Sequence, residues 1–327
     1  MGWADVGYHS DHVLTPNIDT LAADGIVLNH YYTHPVSCPS RAALLTGVHP
    51  IHTGLQNFVI INQSPTALRV PAFIWSPLLR KSGYVSEALI DVSDIMPTIL
   101  DAIGDRHVLS DETHIYGVSQ WDTMSHNGLP VRSEIIHNID PVDNMSAIRW
   151  HDWKLVQSSS YKGYDLWTQT IQFGGWKPPM YSKCTLSPEQ FETMRNLQRH
   201  SCKMYKVLSQ MNRHPNYDVL DESTVLCSEP PVPNGKHSCL TGELCLFNLR
   251  VDPCEYKNVI NETDPSFVRY VWHKLVEFNE TSVPALSLVP LDKRAHPRFH
   301  NNTWTNWLDH DLDYELYRDY KHDKDEF

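Results

Sequence analysis

The chain of 327 residues is 41% hydrophobic, enough to bury a real core, so we expect one or two domains. Its 39 acidic and 27 basic residues give a formal net charge of −12, without the clustered Lys and Arg that bind phosphate backbones. We therefore expect no nucleic-acid partner and, since no run of about 18 apolar residues occurs, no transmembrane segment.

Residues 1–60 alternate between helix and strand patterns. Thr15 and Pro16 are typical of the N-cap and first residue of a helix, which Gly25 ends. The apolar face of that helix consists of Ile18, Leu21 and Ala22. The apolar run 26–28 predicts a buried strand, and residues 40–45 predict the first turns of another helix.

Residues 62–68 are polar and include a Pro, and a strand pattern resumes at residues 70–75. Ser93 predicts the N-cap of a helix that Gly104 ends. Its apolar positions lie on one face: Ile95, Ile99, Leu100 and Ile103. Such mixed elements predict an α/β fold.

In the second half, residues 133–140 and 147–156 predict strands, the latter bent at His151-Asp152. Long helices are predicted from Ser187-Pro188 and from Asp264-Pro265. Residues 157–186 and 212–245 are loop-rich. The last stretch, 309–327, contains eight acidic and three basic residues and predicts a solvated acidic tail.

Six of the seven cysteines lie in the second half: Cys184, Cys202, Cys227, Cys239, Cys245 and Cys254. An even cluster in Pro-rich loops indicates a disulfide framework in an oxidising compartment. Unpaired buried thiols and a zinc site are the alternatives, although no CxxC pair occurs.

The chain also contains five N-glycosylation sequons, at Asn62, Asn144, Asn261, Asn279 and Asn301. These sequons and the cysteine cluster favour the secretory pathway. The first residues show neither a basic n-region nor an apolar h-region, so no signal peptide is visible.

The segment 35–47, Pro-Val-Ser-Cys-Pro-Ser-Arg-Ala-Ala-Leu-Leu-Thr-Gly, resembles the activation signature of the sulfatase family. Residues 2–8, 15–19 and 31–33 are similar to the start of an arylsulfatase, close to the arylsulfatase B group. The resemblance implies an alkaline-phosphatase/sulfatase-like sheet with flanking helices. It also implies a calcium-dependent sulfuric ester hydrolase acting on sulfated sugars or aryl sulfates.

In that family a residue two positions before the Pro becomes formylglycine, the nucleophile that binds the cation. Ser37 occupies that position here, whereas Cys38 occupies the spacer and is the less favoured alternative. Arg41 supplies a fixed charge beside a helix N-terminus that favours an anion. The usual eukaryotic formylglycine-generating maturase requires Cys at the first position, so the resemblance does not support conversion of Ser37. Only a converted Ser37 would bind metal.

Other parts of the family pattern are missing. The family has an Asp-Asp pair before Gly2-Trp3, where this chain has Met1, and the resemblance passes directly from residues 55–58 to 69–73. The central part, with the active-site Lys and His residues and the Asp-Asn metal pair, is not found. Because calcium needs about six to eight oxygen ligands, we expect that this chain does not retain calcium and is catalytically inactive.

Downstream, residues 93–98, 137–141, 153–155 and 246–249 again resemble the family and imply a smaller α+β C-terminal domain. We predict an incomplete catalytic domain over residues 1–130, with a junction near 58–69. A Cys-rich C-terminal subdomain over 131–308 and the tail over 309–327 follow.

Two other functions are considered. One is a non-catalytic secretory-pathway glycoprotein of sulfatase descent. The other is a hydrolase of the same superfamily, such as a phosphodiesterase, which the Pro-Ser-Arg context disfavours. The predicted location is the lysosome, the endoplasmic reticulum or the exterior. The ending Lys324–Phe327 resembles a KDEL-type retention signal, with a chance acidic ending as the alternative.

Overall fold

The structure is a computed structural model that describes residues 5–10, 13–34, 37–57, 68–69, 72–105, 115–142, 144–157, 187–225 and 244–285. These residues all lie within one compact unit, Met1–Ala285. They form two four-stranded sheets with helices packed on them, which confirms the predicted mixed α/β class. None of the described helices is both long and apolar enough to cross a membrane.

The first sheet is built around β1 (Ile26–Thr33). Two short strands, β2 (Leu68–Arg69) and β3 (Phe73–Ile74), pair with β1 antiparallel. The fourth strand, β4 (Tyr84–Asp91), pairs with β1 in parallel. Because the carboxyl ends of parallel strands meet at one edge of a sheet, the residues that follow β1 and β4 come close together.

The predicted strand at residues 26–28 is confirmed: all three side chains are buried in β1, which continues to Thr33. The predicted strand at 70–75 is shorter in the described residues, where only β3 is present. β4 has no counterpart in the sequence prediction.

Helices flank the first sheet. The predicted helix after Thr15 is confirmed as α1 (Pro16–Asp24). The Thr15 hydroxyl does not cap it and instead donates to Asp19 Oδ1 at 2.7 Å. The helix predicted at residues 40–45 is α2 (Ser37–Thr46), which begins three residues earlier.

The helix predicted after Ser93 is α3 (Ile95–Ala102), but two details of the prediction are wrong. Asp91, not Ser93, caps the 3-10 turn Val92–Asp94 that leads into α3. Ile99 and Ile103 are 55% and 68% exposed, because α3 buries its Pro97 and Thr98 side instead. A short helix, α4 (Trp121–His126), follows.

The predicted long helix from Ser187 is broken at Cys202 into α5 (Pro188–Ser201) and α6 (Lys203–Gln210). A further helix, α7 (Asp218–Glu222), lies in a stretch predicted to be loop. These helices cover α1, which has two buried carboxylates in ion pairs. Arg199 of α5 binds Asp19 at 3.0 Å, and Arg213, between α6 and α7, binds Asp24 at 2.6 Å.

The second sheet is an antiparallel meander of β5 (Glu134–Asp140), β6 (Met145–Trp150), β7 (Trp153–Gln157) and β8 (Leu244–Asn248). The predicted strand at 133–140 is confirmed. The predicted bent strand at 147–156 is two strands, joined by the turn at His151, whose φ is 51°. β8 was not predicted.

The helix predicted after Asp264 is α8 (Pro265–Glu280), and it packs on the second sheet. The core between them includes Ile136, Ile148, Leu155, Leu246, Val271 and Leu275. Ile51, which follows α2, is fully buried in the same core. Tyr32, Leu89 and Ile135 form a smaller buried cluster where the two sheets meet.

Candidate functional site

The N-terminus of α2 presents the predicted motif to solvent. Ser37 is the first residue of the helix, and Arg41 lies one turn later on the same face; both are exposed. Cys38 is a half-buried free thiol. The opposite face is anchored by Pro39 and Ala43, which are buried. The exposed end of α2 therefore combines orphan N–H groups with a guanidinium and suits an anion.

Hydrogen bonds hold both ends of α2 in place. The Ser40 hydroxyl donates to the His34 carbonyl at 2.8 Å at the start. At the other end Gly47 has a φ of +68°, and its carbonyl accepts from the N–H groups of Tyr116 and Gly117 at 2.9 and 2.8 Å. The position of the motif is thus determined by the fold around it.

Three buried side chains converge beneath α2, and we name them the His–Asp cluster: His34, His49 and Asp91. His34 directly follows β1, and Asp91 is the last residue of β4, where Tyr32 is its register partner. Each of the three residues places one ligand atom within 4.8 Å of the other two. The parallel pairing of β1 with β4 is what brings them together.

Backbone carbonyls of β5 define the tautomers of the two imidazoles. His34 Nδ1 lies 3.3 Å from the His137 carbonyl oxygen, and His49 Nε2 lies 2.9 Å from that of Ile136. Because a carbonyl only accepts, these nitrogens donate, and the lone pairs are on His34 Nε2 and His49 Nδ1. Burial lowers the pKa of His34, and that of His49 well below its usual value. Both rings are therefore neutral at pH 7.

A buried ion pair supports the cluster. Asp91 Oδ1 accepts from the N–H and the hydroxyl of Ser93, at 2.9 and 2.5 Å. Asp94 accepts from the Asp91 N–H at 3.0 Å and from Arg132 Nε at 2.8 Å. Arg132 is thus neutralised by Asp94, which is fully buried.

The predicted glycosylation and cysteine sites are only partly within the described residues. Asn144, Asn261 and Asn279 are exposed, whereas Asn62 and Asn301 lie outside the described residues. Cys245 and Cys254 are disulfide-bonded. Cys202 is a free thiol that accepts from the Tyr205 N–H at 3.4 Å, so its predicted place in the disulfide framework is wrong. Cys184, Cys227, Cys239, the tail 309–327 and its last four residues also lie outside the described part.

Comparison with known proteins supports the class that the motif indicates. The Sulfatase family model matches residues 1–67, which end just beyond the segment that carries α1, β1 and α2. This N-terminal segment is therefore similar to the sulfatase family.

Individual sulfatases are also similar to part of this chain. The chain is 41% identical to mouse arylsulfatase J over 83 residues, 25% of this chain and 14% of that protein. It is 37% identical to human N-acetylgalactosamine-6-sulfatase over 99 residues, 27% and 18% of the two chains. It is 35% identical to human arylsulfatase A over 88 residues, 26% and 17% of the two chains. The matches thus span 14–18% of the length of these relatives.

Two solved structures also match. One is a 6S-sulfatase described with glycosaminoglycan metabolism by Bacteroides thetaiotaomicron, with a TM-score of 0.34 and 14% identity over 65% of this chain and 29% of that one. The other was solved with its substrate D-glucosamine-2-N,6-O-disulfate, with a TM-score of 0.31 and 15% identity over 65% and 28%. Neither TM-score establishes a shared fold.

The described residues do not fit calcium at the motif. Within the described part, the one convergent group of three His, Cys, Asp or Glu ligands is the His–Asp cluster, which excludes Ser37. Other buried carboxylates have partners of their own: Asp19 with Arg199, Asp24 with Arg213, Asp94 with Arg132 and Asp140 with Asn57. Calcium needs more oxygen ligands than this arrangement offers.

The sequence predicted a site at Ser37 and Arg41, which stays a prediction, and gave no prediction of the His–Asp cluster. His34 and His49 lie just outside the two ends of the motif, which is a weak signal. Asp91 ends a strand that was not predicted, so nothing in the sequence connected it with the two histidines.

Proposed function

We propose that this chain derives from an arylsulfatase-type sulfuric ester hydrolase and that, as printed, it does not hydrolyse sulfate esters. The observation that carries the proposal is the setting of Ser37: in the described part of the structure its exposed side chain has no hydrogen-bond partner. An alcohol is a weak nucleophile without a positioned base or a lowered pKa. Among the described residues, no convergent carboxylate group includes Ser37, as the family's metal-bound nucleophile would require.

The substrate class is a sulfated sugar or an aryl sulfate. It follows from the family and from the exposed N-terminus of α2, where Arg41 and the orphan N–H groups favour a sulfate group. Such a site binds an anion without activating water. The chain is therefore proposed to retain weak affinity for sulfated ligands while lacking turnover.

The test is hydrolysis of a chromogenic aryl sulfate by the purified chain, with Ser37→Ala as the matched control. We expect the two proteins to give the same rate as buffer. Ser37→Cys restores the eukaryotic form of the motif, and it is also expected to be inactive because the described residues offer no carboxylate group around it. Turnover by the original chain above the Ser37→Ala rate would refute the proposal. Mass spectrometry of the peptide around Ser37 and Cys38 shows whether either residue is oxidised.

One observation supports the secretory location in the alternative, a non-catalytic secretory-pathway glycoprotein. Asn144, Asn261 and Asn279 are all exposed and available for glycosylation, as expected for the lysosome, the endoplasmic reticulum or the exterior. Expression in a secretory host with and without N-glycosidase treatment tests this. A mass shift lost stepwise in Asn→Gln variants supports it, whereas an unshifted wild-type chain contradicts it.

A further inference from the structure

The His–Asp cluster contains the ligand types of a first-row divalent transition metal. His34, His49 and Asp91 are 4%, 0% and 1% exposed, and one ligand atom of each lies within 4.8 Å of the others. The centre of an equilateral triangle with that side lies about 2.8 Å from each corner. Shifts of less than about 1 Å therefore reach the zinc–ligand distances of about 2.0–2.2 Å.

An unsatisfied nitrogen points independently to a ligand. His34 Nε2 is buried and has no hydrogen-bond partner, although a buried acceptor without a partner is costly. The other nitrogen of the ring donates to a backbone carbonyl, that of His137. A carbonyl in this place orients a metal-binding imidazole and makes it a stronger ligand.

A β-bulge positions the two supporting carbonyls. The register of β5 against β6 shifts between Ile136 and Asn138, which leaves His137 outside the ladder. In a regular strand successive carbonyls point in opposite directions. Here the successive carbonyls of Ile136 and His137 both accept from the neighbouring imidazoles, those of His49 and His34. Bulges are common beside functional sites, where they re-aim groups in this way.

The remaining ligands are also preorganised. The lone pair on His49 Nδ1 accepts only a long bond, 3.3 Å, from the Ile51 N–H, which an ion would replace. Two bonds from Ser93 hold the Asp91 carboxylate. The nearby charge of Arg132 is paired with that of Asp94.

We propose that His34, His49 and Asp91 form a zinc-type site with three protein ligands and a fourth position for water. Two imidazoles and one carboxylate favour zinc over calcium, which prefers oxygen ligands only. A bound ion would link the ends of β1 and β4 to the segment after α2. The site excludes Ser37 and does not depend on the proposed function.

The test uses the full chain, stripped with a chelator and titrated with zinc against a chromophoric competitor. The background carries Cys38→Ser and Cys202→Ser, so that these thiols do not contribute. We expect one zinc equivalent to be lost, or bound at least tenfold more weakly, in His34→Gln and in Asp91→Asn. The matched control is His273→Gln, an exposed histidine on α8 that should change nothing.

Two further readouts keep the result decisive if one variant fails to fold. Circular dichroism identifies such a variant, and the other cluster variant then carries the comparison. Cobalt in place of zinc should give the intense visible absorption of a tetrahedral site in the background protein and the control, and not in the cluster variants. Equal zinc stoichiometry and affinity in all four proteins would overturn the proposal, because the ions would then be bound elsewhere.

Discussion

The buried pair of Arg132 and Asp94 makes a sharp prediction about stability. Arg132 Nε donates to both carboxylate oxygens of Asp94, at 3.0 and 2.8 Å, and Nη2 donates to Oδ1 at 2.5 Å. The two side chains are only 8% and 0% exposed. Arg132 also donates to the Tyr116 carbonyl at 2.9 Å and lies over its ring, 4.5 Å from the centroid.

Replacing Arg132 by Met leaves the Asp94 carboxylate buried without its cation. Loss of one partner of a buried ion pair costs about 3–5 kcal/mol. Asp94 keeps three neutral donors, the N–H groups of Asp91 and Val118 and the amide of Gln120, at 3.0, 2.9 and 3.2 Å. Because these partly compensate, we expect a loss near the lower end, about 3 kcal/mol in the free energy of unfolding.

The assay is urea denaturation of the original chain, Arg132→Met, Asp94→Asn and the double variant. Since the second change removes the unpaired charge, the double variant should be more stable than the sum of the single losses predicts, by at least about 1 kcal/mol. Lys257→Met is the control, because Lys257 and Glu262 form an exposed pair whose loss should cost under about 1 kcal/mol. A loss below about 1 kcal/mol in Arg132→Met, or strict additivity, would refute the reasoning.

Three other substitutions test the fold. Ile148→Ala opens a cavity at a fully buried position of β6 and should cost about 2–5 kcal/mol in urea denaturation; a loss under about 1 kcal/mol contradicts the packing described. Gly117→Ala places a Cβ in steric conflict with the Ser93 carbonyl oxygen, so the melting temperature of the variant should fall clearly, and an unchanged melt argues against that contact. Burial lowers the pKa of His52, whose Nε2 contacts the Thr281 hydroxyl at 2.9 Å. The free energy of unfolding that neutral His52 contributes is present above its unfolded pKa of about 6.5 and is lost as pH falls. The His52→Gln variant should therefore lose less stability than the original chain between pH 7 and 5. Equal losses in the two proteins would contradict this.

Elements with local start and stop signals could be predicted from the sequence. Thr15-Pro16 and Gly25 bound α1, and the pair Asp264-Pro265 opens α8, where Asp264 accepts from the Ser266 N–H at 2.9 Å. A capping box between Ser187 and Gln190 likewise starts α5. The caps at Ser187 and Asp264 lie within four residues of the backbone groups they satisfy, so no tertiary information is needed.

Strands that depend on distant partners could not be predicted in the same way. β4 exists through its parallel pairing with β1, more than 50 residues earlier in the chain, and β8 through its pairing with β7 across residues 158–243. The buried face of α3 could not be predicted either, because its apolar positions do not reveal on which side other parts of the chain pack. Which apolar residues of such an element are buried can be decided only once the elements that pack against it are known.

The candidate sites show this contrast most clearly. The motif around Ser37 is contiguous, so its position could be identified from thirteen residues of sequence. The His–Asp cluster joins residues from three segments and forms only because β1 and β4 end at one edge of the sheet. Ligands in open α/β sheets bind at that edge, and it is the place where a sequence reading has least information.

The two sites at this edge differ in the ions they should select, and this yields a last prediction. In the part of the chain that the structure describes, no carboxylate group converges on the exposed motif, whereas the buried cluster has two neutral imidazoles and one carboxylate. Calcium should therefore leave the melting temperature of the chain unchanged, while zinc should raise it, because an ion that binds only the folded state stabilises it by mass action. The zinc effect should disappear in Asp91→Asn and persist in Ser37→Ala. Stabilisation by calcium that depends on Ser37 would instead mean that the motif has retained its oxygen ligands, and the proposed lack of turnover would lose its physical basis.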